Sequence, residues 1–131
     1  MRGLVDAAEL ENPLVAVLGD LNDTIDSVPI RIVKGRGETR LHSCASVIPR
    51  EHRFSVVHGT WRDQIDHILV SQALRNELDS AAFFNEGLKD QGPFEENAPP
   101  TIESDHALFV ARFRSRPSLV PSQVVVTQRS G

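Results

Sequence analysis

The stretch LVAVLGDLND, residues 14–23, runs from five apolar residues straight into a glycine and a group of polar side chains. The apolar residues 14–18 predict a strand. Asp20 and Asn22 follow it and, in an extended backbone, side chains two positions apart share one face. Such an Asp–Asn pair could orient an attacking water and donate a hydrogen bond to a phosphate oxygen. Gly, Asp and Asn are also turn residues, so a plain turn is the alternative.

A second polar segment, Gln64-Ile65-Asp66-His67, stands at the start of another apolar strand. Both faces of residues 65–70 are apolar, which is typical of a strand covered on both sides. A carboxylate there needs a partner because an unpaired buried charge is costly. We expect His106 to donate one ring N–H to Asp66, whose charge would favour the protonated ring, and to present the other ring nitrogen to a substrate. The alternative is that Asp66 only caps a loop, and His67 is predicted to be a core histidine with satisfied hydrogen bonds.

The third polar segment is Ser104-Asp105-His106, which precedes the apolar strand predicted at residues 107–113. Asp105 could hold a hard divalent cation, directly or through water, while His106 stabilises negative charge on a phosphate. A solvated loop is the alternative.

The three segments share a geometric relation. The strand at 14–18 ends at its polar segment, whereas the strands at 66–70 and 107–113 begin at theirs. If the first strand runs antiparallel to the other two, all three polar segments meet at one edge of a mixed sheet.

The rest of the chain reads as alternating helices and strands. Helices are expected to end near residue 9, to cover 41–48, and to run from the capping residue Ser71 through Leu78. Ser27 could cap a short helix ending at Lys34, although four β-branched residues there favour a strand instead. Residues 54–57 are expected to pair with residues 65–70 as a hairpin.

The C-terminal third contains a strand, a long loop and a tail. Residues 81–84 read as a strand, and residues 86–103 as a long acidic loop. From residue 115 onward the sequence is rich in Ser and Pro, so we expect one domain over residues 1–114 and a disordered tail over 115–131.

Composition bounds the function without choosing it. The chain has 131 residues, 40% of them hydrophobic, and a formal net charge of -4. No run of cations exceeds Lys34-Gly35-Arg36, so the sequence lacks the basic stripe expected of a protein that grips a nucleic-acid backbone. An anionic substrate would then be held locally, most simply by a cation.

The single cysteine, Cys44, excludes an internal disulfide and is expected to be a buried thiol. No apolar run approaches the length of a membrane span, and residues 1–11 predict no export signal, which leaves the compartment open.

Taken together, residues 19–22, residues 64–71 and Ser104-Asp105-His106 resemble the last three motifs of the endonuclease/exonuclease/phosphatase superfamily. The resemblance covers roughly residues 8 to 114. It implies an α/β fold, the C-terminal half of a four-layer α/β/β/α sandwich with a mixed, mostly antiparallel sheet and flanking helices. It also implies Mg²⁺- or Mn²⁺-dependent hydrolysis of a phosphate ester, in nucleic acid or a smaller molecule.

The resemblance assigns roles to residues. Asp20 and Asn22 would position water and phosphate, and Asp66 would orient His106, which with Asn22 would contact the phosphate. Asp105 would contribute to the metal site.

The sequence departs from the superfamily pattern in one respect. Nothing before Val15 matches the N-terminal half, which supplies an Asn, the principal metal-binding Glu and a further Tyr or His. A catalytically silent module that needs a complementing chain is therefore the alternative. An exposed sheet face would also favour self-association.

Overall fold

Helices and short strands alternate along the chain in the computed structural model, which describes residues 1–91, 104–114 and 123–127, the last range by its backbone alone. The helices are α1 (Arg2–Glu11), α2 (Val28–Lys34) and α3 (Gln72–Arg75). The strands are β1 (Val15–Asp20), β2 (His42–Ser43), β3 (Val56–His58), β4 (Trp61–Asp63), β5 (Asp66–Val70), β6 (Leu78–Phe84), β7 (Leu108–Phe113) and β8 (Gln123–Thr127). Short 3₁₀ helices lie at Gly37–Thr39, Cys44–Val47 and Arg50–His52. The fold is a mixed α/β arrangement, in which the described part has antiparallel sheets and few helices.

A four-stranded sheet in the order β2-β5-β1-β8 organises the chain. β1 runs antiparallel to β5, the condition under which their polar segments meet, and β8 runs parallel to β1. Ala16 lies opposite Val70 at one end of the β1–β5 pair, and Asp20 lies opposite Asp66 at the other.

The two faces of this sheet are covered differently. Val17 and Leu69 point to one face and pack against Val5 of α1 and Val33 of α2. Ala16, Ile68 and Val70 point to the opposite face, where the partners include Phe109, Ala111 and Phe113 of β7. β7 pairs with β6 in a separate two-stranded sheet. The described residues therefore form a helix layer, the central sheet and the β6–β7 sheet, in that order.

The helix predicted after Ser27 is confirmed over the alternative strand. The Ser27 side chain accepts a hydrogen bond from the backbone N–H of Ile30, and Pro29 fits the first turn, where its missing N–H costs nothing. Gly35 ends α2 with φ of 70°, a left-handed conformation that favours glycine. Arg2 then donates to the carbonyls of Val33 and Lys34, which ties α1 to the end of α2.

Two predicted helices are shorter than expected. Residues 41–48 form β2 and a 3₁₀ helix instead of one α-helix, because His42 and Ser43 pair with β5 and the Ser43 hydroxyl caps the N–H of Ala45. The helix after Ser71 ends at Arg75 and does not reach Leu78, since Leu78 already pairs with Phe113 in the β6–β7 sheet.

Two strand predictions also need correction. Residues 54–57 do not pair with residues 65–70: β3 pairs with β4 across Gly59, while β5 is taken by β1 and β2. Gly59 has φ of 57°, as a tight turn requires. β7 does not join the central sheet, so the three polar segments converge from two sheets and not along the edge of one.

The predicted disordered tail contains a strand. Gln123–Thr127 form β8, so the prediction is wrong for this segment, whose three successive valines favour an extended backbone. Residues 115–122 and 128–131 lie outside the described residues, as do residues 92–103 of the long acidic loop.

Cys44 is buried, as predicted, and burial raises the pKa of its thiol to about 11. A thiol with this pKa is a poor nucleophile at neutral pH. Among the described residues, none of the helices has the length and apolar character needed to cross a bilayer.

Candidate functional site

The register of β1 against β5 places two carboxylates side by side. Asp20 and Asp66 lie opposite each other and have the same parity as Ala16 and Ile68, whose side chains face the β6–β7 sheet. His106 comes from the segment just before β7, on that same side. One ligand atom from each of Asp20, Asp66 and His106 lies within 4.8 Å of the others, so the three could hold a metal ion.

The contact between Asp66 and His106 has the geometry expected from the sequence. Nδ1 of His106 lies 2.8 Å from Oδ2 of Asp66, and both side chains are only partly exposed, at 28% and 20%. Burial alone would lower the pKa of His106. The hydrogen bond and charge of Asp66, with the charges of Asp20 and Asp105, outweigh burial and raise that pKa above its ordinary value. Asp66 therefore orients the ring and favours its protonated form.

Asn22 does not lie as predicted. The extended backbone ends at Asp20, and Asn22 has φ of 52° in the left-handed region. The Asp20 carboxylate accepts a hydrogen bond from the backbone N–H of Asn22, at 2.9 Å. This is the turn that the sequence offered as an alternative, so the expectation that Asp20 and Asn22 share one face of a strand is wrong. Asn22 is exposed at the rim of the site.

Asp105 lies beside the three grouped residues but is not one of them. Its Oδ1 is 3.9 Å from Nε2 of His106, and its Oδ2 accepts a hydrogen bond from the Gln91 amide at 2.9 Å. The side chain is 51% exposed. Its role as a metal ligand stays a prediction, because Asp20 and Asp66 are the carboxylates that the structure brings together.

His67 is the satisfied core histidine that the sequence predicts. Its Nε2 lies 2.7 Å from the carbonyl oxygen of Asp23 and must donate, because a carbonyl only accepts. Its Nδ1 then accepts from the Gln64 amide, which also donates to the carbonyl of Asp66. Burial lowers the pKa of His67, in keeping with a neutral ring. This network fixes the loop after Asp20 against the start of β5.

Ser55 supports the site and was not identified from the sequence. Its hydroxyl is fully buried and accepts hydrogen bonds from the backbone N–H groups of Ile65 and Asp66. Its carbonyl accepts from the N–H of Ala107, the neighbour of His106. Ser55 therefore joins the segments that carry both members of the acid–imidazole pair. The only signal in the sequence is a lone serine inside an apolar run, which has no specific meaning by itself.

A shallow hollow opens next to the pair. Its volume is about 210 Å³, and its lining includes Leu18, Asp66, Ala107 and Leu108. Apolar side chains therefore lie against one side of Asp66.

The chain matches no protein-family model, no curated protein and no solved structure.

Replacement of Ser55 by alanine should destabilise the fold by about 1–3 kcal/mol, because the partly buried N–H groups of Ile65 and Asp66 lose the hydroxyl that accepts from them. Urea unfolding would measure the loss, with Ser80→Ala as the control, since Ser80 is exposed on β6. Equal stabilities of the two variants would show that Ser55 does not hold these segments together.

NMR titration of His106 in metal-free buffer should give a pKa above that of an ordinary histidine, and Asp66→Asn should lower it. Since folding raises this pKa, the pair stabilises the folded state fully below the ordinary histidine pKa, and the contribution is lost as pH rises through the raised value. An identical titration in both proteins would contradict the pairing.

Proposed function

We propose that the chain carries the catalytic end of a divalent-metal-dependent phosphoesterase of the endonuclease/exonuclease/phosphatase type. The reaction is hydrolysis of a phosphate ester by in-line attack of water. The observation that supports the proposal best is the His106–Asp66 hydrogen bond beside Asp20, formed by three segments that are remote in sequence.

His106 acts on the phosphate in this proposal. Its Nδ1 is held by Asp66, which leaves Nε2 to donate to a phosphate oxygen. The raised pKa favours the protonated ring, and a cationic donor would stabilise the negative charge that builds up during attack. Asp20 serves as the base or orienting group for water, with Asn22 contacting the phosphate from the rim.

The donor set fits a hard divalent cation. The two carboxylates, Asp20 and Asp66, suit Mg²⁺ or Mn²⁺, which take oxygen ligands. Because Nδ1 of His106 is already bonded to Asp66, we assign the cation to the carboxylates, with Asp105 completing the set through water. A bound cation neutralises phosphate charge and lowers the pKa of water.

We also propose that the complete fold is a four-layer α/β/β/α sandwich, and the order of the layers supports this. The helix layer, the central sheet and the β6–β7 sheet supply three consecutive layers of an α/β/β/α sandwich. The outer face of the β6–β7 sheet exposes Phe84, Leu108 and Val110, and Phe84 pairs directly with Leu108. A further helix layer would bury these side chains.

The same apolar face favours a second candidate function, a module that is silent until another polypeptide segment completes it. Phe84 of β6 and Leu108 of β7 are 64% and 65% exposed, although the inner face of each strand is packed. Neighbouring exposed apolar side chains of this kind mark a surface that another polypeptide can cover.

Hydrolysis of bis(p-nitrophenyl) phosphate by the purified chain with Mn²⁺ or Mg²⁺ tests the first candidate. His106→Ala should abolish the activity, and Asp66→Asn should lower kcat by about 100-fold or more. His58→Ala, at the exposed end of β3, is the matched control and should retain full activity. Asp105→Ala should raise the metal concentration needed for half-maximal rate. Hydrolysis that survives His106→Ala would contradict the first candidate, and no hydrolysis at any metal concentration would favour the second.

Sedimentation equilibrium tests the apolar face. The chain should self-associate, and Phe84→Ser with Leu108→Ser should weaken the association, because burial of each side chain stabilises the contact by about 1.5–3 kcal/mol. Leu10→Ser is the control, since Leu10 is 90% exposed on α1, away from β6 and β7. A monomer at all concentrations would show that the face is not used for self-association.

A further inference from the structure

A polar groove that does not include Asp20, Asp66 or His106 has Gln64 in its lining. It has a volume of about 560 Å³ and is bordered by β2, β4, α3 and the 3₁₀ helices that follow β2. Six cations line it: Lys34, Arg40, Arg50, Arg53, Arg62 and Arg75.

The groove concentrates positive charge in an acidic chain. Its six cations face two carboxylates, those of Asp26 and Asp63, which leaves a net charge of +4, whereas the whole chain has -4. Within the part of the chain that the structure describes, none of the six cations forms an ion pair with a carboxylate. Cations that outnumber the nearby carboxylates repel one another, and a bound anion relieves that repulsion.

The cations are close enough to affect one another. Burial and the charge of Arg40 lower the pKa of Lys34. Burial, followed by the charges of Arg40, Arg75 and Lys34, lowers the pKa of His42 at the groove wall. Segments remote in sequence therefore converge on one volume.

Two of the arginines are already held in place. Arg53 donates to the carbonyls of Ile48 and Ser46 at 2.6 and 3.0 Å, and the Arg62 guanidinium lies 4.8 Å from the centroid of the Phe54 ring. Fixed donors lose little conformational entropy when a ligand binds.

The shape and lining favour a compact ligand over an extended strand. The volume is in the range of small-molecule sites, roughly 300–1,000 Å³. No aromatic side chain is among the described residues that line the groove, although a single strand is usually held by stacking on aromatic rings.

We propose that this groove binds a compact polyanion that carries several phosphate groups, at a site separate from Asp20, Asp66 and His106. Arg40 and Arg75 contact the anion, and Arg53 and Arg62 provide the fixed walls. The proposal does not depend on hydrolysis, because it concerns binding alone.

Calorimetric titration of the 131-residue chain with sodium tripolyphosphate, without divalent metal, tests the site. Binding should be saturable and should weaken as NaCl is raised, because the contacts are between charges. Arg40→Gln and Arg75→Gln should each weaken binding by about tenfold, the effect of losing one charge-assisted hydrogen bond. Arg112→Gln is the matched control, an exposed cation on β7, and should leave the affinity unchanged.

A second readout locates the ligand. Bound tripolyphosphate should raise the pKa of His42 in an NMR titration, because the anion offsets the neighbouring cations. Thermal unfolding would check that each variant is folded. If Arg40→Gln or Arg75→Gln does not fold, Arg50→Gln takes its place, because Arg50 is at an exposed position.

The proposal is wrong if no saturable binding is measured, or if Arg112→Gln weakens binding as much as Arg40→Gln and Arg75→Gln do. It is also wrong if the pKa of His42 is unchanged at saturation. A short single-stranded DNA that binds more tightly than tripolyphosphate at the same salt concentration would also overturn it, in favour of a strand-binding groove.

Discussion

The antiparallel register between β1 and β5 brings the two carboxylates of the candidate site together. It sets Asp20 at the end of one strand against Asp66 at the start of the other, on the face that meets the β6–β7 sheet. A shift of one residue would turn either carboxylate to the helix face. The hydrogen bond from His106 to Asp66 then links the central sheet to the second sheet at the same place.

Neutral buried groups keep this arrangement in position. Ser55 accepts from the backbone at Asp66 and is itself bound by the N–H of Ala107, while Gln64 and His67 hold the loop after Asp20. None of these groups carries charge, so they can be buried at modest cost as long as each polar atom has a partner. The charged groups can therefore stay partly exposed, where a substrate could reach them.

The sequence predicted those features that depend on neighbouring residues. The apolar run before Gly19 predicted β1, Ser27 and Gly35 predicted α2, and the two-sided apolar pattern after Asp66 predicted a covered strand. It failed where pairing between distant segments overrides local preference. Leu41 and Ile48 have helical spacing, yet His42 and Ser43 pair with β5 and only Cys44–Val47 are helical, as a 3₁₀ helix. Asn22 leaves the strand because Asp20 caps its N–H, a competition that spacing alone does not settle.

The distribution of charge on the surface also depends on contacts between distant segments. The sequence contains no basic run, but folding brings six cations together around the groove that Gln64 lines. The surface potential could therefore not be inferred from composition. The proposed chemistry depends above all on the coupling of Asp66 to His106, and a double-mutant cycle with Asp66→Asn and His106→Ala measures it by urea unfolding near pH 6. The expected coupling is on the order of 1 kcal/mol in favour of the folded state, for a partly exposed charge-assisted hydrogen bond. Strictly additive effects of the two substitutions would contradict it.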